Sequence, residues 1–285
     1  MLGECHAHVI MDGVNYKNEV ALHKDGVCEE AVRKHLKAYQ DAGITFVRDG
    51  GDARGASALA KELAGEYGID YRTPLFAIHK RRHSGGIVGF PFDSRREYRE
   101  LVGKAKEEGA DFIKIMVSGL LDFAHAGTLT EEGLTEEEIQ YMIGTAHDAG
   151  MAVMAHCNGN ETCRYAIRAE VDSLEHGAFM EDETLLLLSE SRTVWIPTFS
   201  PIGNLLGCGR FPDEEIRKNL DGQMKRVRKA AELGACIGLG SDAGAYLVPH
   251  GTGTLDEHAY LHQAGVPDGL LCEAEEQIRL RFKRS

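Results

Sequence analysis

The sequence predicts an α/β fold of the (β/α)8 TIM-barrel kind, built as a single barrel domain over residues 1–285. Three observations carry this. Short apolar runs alternate with longer amphipathic stretches along the chain, the pattern of parallel strands joined by crossover helices. The alternation repeats eight times without a linker, repeat or low-complexity segment. The length of 285 residues is close to the ~250 that one such barrel takes.

Each unit can be justified in turn. Residues 3–10 read as the first strand, and residues 29–42 as a helix ending at Gly43, a C-cap. Residues 44–48 form the second strand and end in Asp49-Gly50-Gly51; residues 53–67 form a helix stopped near Gly68. The third strand spans 73–78 and its helix 94–108, closed by Gly109. Strand four is 112–117. Its helix, 135–149, opens on Thr135 and Glu138 in capping-box spacing. Strand five is 151–155 with helix 159–169, strand six 173–175 with helix 181–191, and strand seven 193–198 with helix 213–233. Strand eight is 236–240, followed by a helix over 255–263 and a charged final helix over 268–285. Residues 119–133 and 202–212 are longer loops, suited to walls or lids of a site.

Composition narrows the function. A net charge of −13 argues against a nucleic-acid surface, which needs a basic patch, and against docking on anionic membrane. There is no apolar run of ~20 residues to span a bilayer, and charged residues in the first positions do not suit a signal peptide. Seven scattered cysteines without Cys-x-x-Cys spacing fit reduced thiols in a cytoplasmic protein. Cys5 and Cys157 adjoin candidate ligand histidines but face the other side of their strands, as packing residues. The expected partner is a small-molecule substrate. Self-association into a homo-oligomer is compatible with a compact acidic barrel.

The chemistry lies at the strand ends. Active sites of (β/α)8 barrels form at the C-terminal ends of the strands. Those ends carry His6 and His8 on strand one, Lys114 on strand four, His156 on strand five, His176 on strand six and Asp242 after strand eight. Residues two apart on a strand share a face, so His6 and His8 project together and can hold one divalent metal. Singly, each has a plainer explanation. His156 and His176 suit hydrogen-bonded loops, Asp242 suits a helix cap, and Lys114 can extend its amine past the strand to solvent. Their joint occurrence at successive strand ends points to a metal site. Lys114 stands between Ile113 and Ile115. Burial and a neighbouring dication both favour its neutral amine. That amine can take up carbon dioxide as a carbamate, an anionic group able to bridge two metals ~3.5–4 Å apart.

The motifs Glu4-Cys5-His6-Ala7-His8, Phe112-Ile113-Lys114-Ile115, Ala155-His156-Cys157-Asn158-Gly159, Leu174-Glu175-His176-Gly177 and Gly240-Ser241-Asp242-Ala243-Gly244 together resemble the amidohydrolase superfamily of metal-dependent hydrolases. The resemblance spans almost the whole chain and is nearest to the imidazolonepropionase-like and prolidase-like branch. The run Asp111 to Gly119 looks like its members with a carbamylated lysine and two metals. The resemblance implies that His6 and His8, with Asp242, hold one metal, that His156 and His176 hold the other, and that carbamylated Lys114 and a hydroxide bridge them. It implies that Asp242 carries the proton from the hydroxide to the leaving group. Zinc suits these donors, and manganese, iron, cobalt and nickel are alternatives. The flanking strands that build a small β-sandwich in this branch are expected to be largely absent here.

The expected reaction is hydrolysis of an amide-type C–N bond in a small carboxylate-bearing molecule: an N-acyl amino acid, a dipeptide or a cyclic amide. The alternatives are a mononuclear deaminase, an ester or lactone hydrolase, or an inactive barrel serving as an interaction module. The basic run His79-Lys80-Arg81-Arg82-His83 follows strand three. Either it binds the substrate carboxylate, for which arginine is suited, or it is a solvated loop paired with acidic neighbours. His79, Lys80, Arg81, Asn158, Tyr246 and His250 are the candidate substrate contacts.

Overall fold

Nine short strands and eleven helices order the chain over residues 3–283, which the computed structural model describes. The strands are β1 (Glu4–Ala7), β2 (Phe46–Asp49), β3 (Asp70–Arg72), β4 (Ala77–Lys80), β5 (Gly89–Phe92), β6 (Ile113–Met116), β7 (Val153–Cys157), β8 (Ser173–His176) and β9 (Val194–Ile196). The helices are α1 (Tyr16–Leu22), α2 (Glu29–Asp41), α3 (Ala56–Leu63), α4 (Arg95–Glu107), α5 (Glu136–Asp148), α6 (Asn160–Arg168), α7 (Asp182–Ser189), α8 (Ser200–Gly203), α9 (Asp213–Glu232), α10 (Thr252–Gln263) and α11 (Asp268–Arg281). Every strand pairing is parallel, in two sheets ordered β1-β2-β3 and β5-β4-β6-β7-β8-β9. β6 and β7 are buried at every position, as parallel strands covered on both faces are. The fold is therefore α/β with parallel sheets.

The expected third strand, 73–78, is broken. Pro74 has no N–H for a ladder and Leu75 takes a positive φ of 64°. Strand structure ends at Arg72 and resumes at Ala77. The two pieces serve different sheets, since β3 pairs with β2 and β4 with β6. β5 was not foreseen. It lies beside β4 with Gly89 opposite Ala77, so close that a Cβ on Gly89 would fall 1.8 Å from the Ala77 carbonyl oxygen. The expected eighth strand, 236–240, is reduced to a bridge between Ile237 and Trp195. Its backbone still bonds both neighbours. Gly238 N donates to Trp195 O, and Leu239 O accepts from Cys5 N, each at 2.9 Å. Gly240 permits that approach, because a Cβ there would sit 2.8 Å from the His6 Cβ.

The helices follow their sequence signals more closely. Thr135 and Glu138 form the expected capping box at α5. α10 starts three residues before the expected position, and α1 and α8 were not foreseen. The final helix ends at Arg281; residues 284–285 of its expected span lie outside the described residues. α11 covers the end of the sheets away from the ligand residues. There Ala274, Ile278 and Phe282 pack with Cys5, Phe46 and Phe112. All seven cysteines are free thiols. No described helix is long and apolar enough to cross a membrane.

One surface pair ties α5 to the start of β8. His147 Nε2 lies 2.9 Å from Asp172 Oδ2, and this bond raises the imidazole above its ordinary value of 6.5. A raised folded value stabilises the fold fully below the unfolded value and loses that contribution as pH rises through the folded value. His147→Gln is therefore expected to lower the melting temperature more at ~pH 5.5 than at ~pH 8.5. Equal shifts at both would show that the pair contributes no charge-dependent stability.

Candidate metal centre

β1 delivers two histidines to one place. His6 lies within the strand and His8 just beyond it, and both are buried. Their Nε2 atoms are each 3.5 Å from Asp242 Oδ1. Loop packing positions His8, since a Cβ on Gly50 would meet its Cε1 at 2.3 Å. Asp49 fixes the backbone just beyond, its Oδ1 accepting from Val9 N and its Oδ2 from Gly51 N. His176 and His156 continue the cluster, with ring centroids 5.0 Å apart for His6 and His176 and 4.5 Å for His156 and His176. Lys114 reaches in from β6. It is 1% exposed and its Nζ has no hydrogen-bond partner among the described residues. The structure thus brings all six expected ligand residues to one cavity of about 300 Å³.

Two of these residues, and the threonine that bonds one of them, occupy backbone conformations that side chains seldom adopt. His176 has φ 69°, Asp242 φ 58° and Thr198 φ 51°, at a cost of about 1–3 kcal/mol each. The turn at His176 has a direct consequence. Adjacent residues of a strand face opposite sides, yet Glu175 and His176 both reach toward His6. Glu175 does so from within β8, and His176 does so because the strand ends in a left-handed residue.

Each of three imidazoles spends one nitrogen on the protein and turns the other inward. His6 Nδ1 lies 2.6 Å from Glu175 Oε2, His176 Nδ1 2.7 Å from Thr198 Oγ1, and His156 Nε2 3.1 Å from the Gly119 carbonyl. This is how metal-ligating histidines are oriented and their tautomers set. His6 Nε2 is left buried without a hydrogen-bond partner among the described residues. Burial holds the four rings neutral. It pushes His8 down to about 3 and His156 to about 4, and drives His6 and His176 well below the ordinary value. Burial also lowers Lys114 and raises Asp242. Neutral imidazoles with free lone pairs, a carboxylate and an unpartnered amine fit a divalent metal with nitrogen and oxygen donors.

Behind His6 stands a buried ion pair that sequence reasoning missed. Arg48 Nη2 donates to Glu175 Oε1 at 2.9 Å, Nη1 to Ser173 Oγ at 2.7 Å and Nε to the Cys5 carbonyl at 2.7 Å. Arg48 and Glu175 are both fully buried. The Arg48 guanidinium lies 4.4 Å from the Phe282 ring centroid. The signal in the sequence was an arginine and a glutamate inside apolar strands. Glu4 was missed in the same way; it accepts from His6 N, Ser241 N, Ser241 Oγ and Thr254 Oγ1.

The expected substrate contacts are mostly elsewhere. Lys80 is paired with Glu138 and Arg81 with Asp93, and neither lines the cavity. Two cations of the basic run thus have acidic partners. His79 packs against Gly85, Tyr246 lies under Arg210, and His250 bridges Tyr39 Oη and the Met11 carbonyl. Asn158 does line the cavity, but its Oδ1 accepts from Ala178 N and its Nδ2 donates to the Gly119 carbonyl. Lys114 is the only lysine or arginine among the described lining residues. Ile87, Val88, Met116, Leu120, Leu121 and Phe123 make the wall apolar. Gln223 from α9 was not foreseen. It donates to the His176 carbonyl at 2.6 Å and leaves Oε1 buried without a partner.

Removing one member of a buried ion pair leaves the other uncompensated. Arg48→Met is expected to destabilise the fold by about 3–5 kcal/mol, measured by urea unfolding. A loss under ~1 kcal/mol, typical of an exposed pair, would show that Glu175 does not depend on Arg48.

Comparison with known proteins places the chain in a family. An uncharacterized protein of Mycobacterium tuberculosis is 31% identical over 138 residues, covering 46% of this chain and 37% of that protein. Ochratoxinase of Aspergillus niger is 27% identical over 161 residues, covering 53% and 32%. The chain thus spans about a third of the length of these curated relatives. Among solved structures, a Xaa-Pro dipeptidase with bound methionine has a TM-score of 0.75 at 24% identity, covering 100% of this chain and 77% of that one. A. niger ochratoxinase has a TM-score of 0.75 at 21% identity, covering 96% and 68%. The family model described as the amidohydrolase family matches residues 4–265, and the chain belongs to that family.

Proposed function

We propose that this chain is a metal-dependent hydrolase that cleaves an amide-type C–N bond in a small molecule with an apolar group at the reacting centre. The observation that carries the reading is the meeting of His6, His8, Lys114, His156, His176 and Asp242 in one cavity. The dipeptidase and ochratoxinase likenesses support amide chemistry by analogy. The hydrogen bonds of residues 236–242 to β9 and β1 support a closed eight-strand barrel with this cavity at its mouth.

His6, His8 and Asp242 would hold one divalent ion and His156 and His176 a second, zinc suiting the donors. Lys114 would be a bridge after carbamylation. Its amine, shifted toward the neutral form by burial, would form an N–C bond to carbon dioxide in that form, one C=O electron pair moving to oxygen and the amine proton leaving to solvent. When bound, such metals lower the pKa of water and polarise a carbonyl. The protein supplies the rest. Asp242, with its carboxyl raised by burial, accepts and returns a proton near neutral pH. Glu175 and Thr198 fix the rings of His6 and His176. Gln223 Oε1 offers a buried acceptor to a substrate N–H.

The wall supports a substrate different from the one first expected. Among the described lining residues no lysine or arginine besides Lys114 is present to meet a carboxylate remote from the metals. Its apolar side chains suit an aliphatic or aromatic group.

The test is a panel of N-acyl amides and dipeptides assayed with zinc. Turnover is expected to favour apolar acyl groups, to stop with a chelator and to return with zinc. Asp242→Asn is expected to lower kcat by about 10²–10⁴-fold, the usual worth of a general acid–base group. Unchanged kcat in that variant, or chelator-resistant turnover, would refute the assignment. Leu121→Asp is expected to raise KM for the apolar substrates; an unchanged KM would separate the wall from specificity.

A further inference from the structure

A second group of metal-ligating side chains meets on the outer surface. His258 and His262 are four residues apart on α10, so they share one face, with ring centroids 4.2 Å apart. The chain then turns, Pro267 caps α11, and Asp268 at its first position returns to them. Asp268 Oδ1 lies 2.7 Å from His258 Nε2 and 2.8 Å from His262 Nε2. Three potential ligand atoms from two helices thus lie within 4.8 Å of one another. None of the three residues lines the cavity.

Holding the turn closed does not require this arrangement. One histidine would already tie Asp268 to α10, and an aspartate at a helix start is favourable by itself. The second imidazole, one helical turn away and aimed at the same atom, is what a chelating pair supplies.

We propose that His258, His262 and Asp268 form a separate metal site that takes a first-row divalent ion such as zinc and fastens α10 to α11. Two imidazoles and a carboxylate suit such ions. The side chains are 25%, 46% and 64% exposed, so water can complete a four-coordinate shell. Bonds of ~2.0–2.2 Å to zinc place tetrahedral ligands roughly 3.3 Å apart, a small opening from the contacts present. Each ring carries its proton on Nδ1 in the bound form, freeing Nε2 for the ion. The overall charge of −13 favours cation capture. An ion there steadies the start of the helix whose Phe282 packs on Arg48, and ligand binding to the folded state raises the melting temperature.

The test compares the full chain with His258→Gln/His262→Gln. Both proteins are stripped with a chelator, dialysed against micromolar zinc and counted for bound metal. The variant is expected to hold one zinc equivalent fewer per chain. Its melting temperature in chelator should match the parent, and its rise on adding zinc should be smaller. Equal zinc counts and equal rises would overturn the proposal. Should the double variant fold poorly, His262→Ala alone, at the more exposed of the two histidines, is titrated with zinc against a chromophoric chelator. Loss of one equivalent supports the site, and an unchanged titration overturns it. Lys114→Ala must retain this equivalent, because the site is independent of the cavity.

Discussion

A carboxylate with no contact with water must be neutralised and fully hydrogen-bonded to be tolerated, and Glu175 meets that requirement through three strands at once. It takes bonds from Arg48 on β2 and from Ser173 within its own strand, and it holds His6 on β1. Arg48 in turn binds the Cys5 carbonyl and lies against Phe282 beyond the end of α11. The ligand side of His6 and the packing at the opposite end of the strands are therefore parts of one network. His6 turns Nε2 into the cavity because Glu175 occupies Nδ1, and Glu175 can occupy it because Arg48 balances the charge. The geometry of the site and the stability of the fold cannot be varied independently here.

The same economy of position recurs around the cavity. His176, Thr198 and Asp242 hold left-handed backbone conformations, and such residues persist only where their surroundings over-determine them. The Thr198 hydroxyl meets His176, Gln223 meets the His176 carbonyl, and Asp242 N bonds the His6 carbonyl at 2.7 Å. Glu257 on α10 fixes the loop after β9 by accepting from Phe199 N and Ser200 N. These contacts place nitrogen and oxygen donors before any ion arrives, so the proposed metals would meet a formed cradle.

Much of this was legible in the chain because two signals are strong. Strand–helix alternation fixed most elements, since parallel strands buried on both faces are written as apolar runs. Histidines at successive strand ends marked the six residues that share the cavity. Three kinds of feature were hidden. Pro74 split a strand whose two halves serve different sheets, and periodicity cannot see pairing partners. β5 and the bridge at Ile237 depend on glycines whose role is contact with backbone far away in sequence. Buried charges were the largest omission: Arg48, Glu4 and Glu175 stand inside apolar strands, and only the structure shows the partners that let them be interior. The basic run at 79–83 left two readings open for the converse reason. Its charges are conspicuous, but Glu138 and Asp93, distant or beyond the loop in sequence, already pair two of them.

Diffraction from crystals of the zinc-loaded protein, with anomalous differences recorded at the zinc edge, tests the central claim most directly. Two peaks in the cavity are predicted, one among His6, His8 and Asp242 and one beside His156 and His176, with added density on the Lys114 amine between them. A cavity free of anomalous signal, with Lys114 unmodified, would contradict the assignment of these six residues as a metal centre.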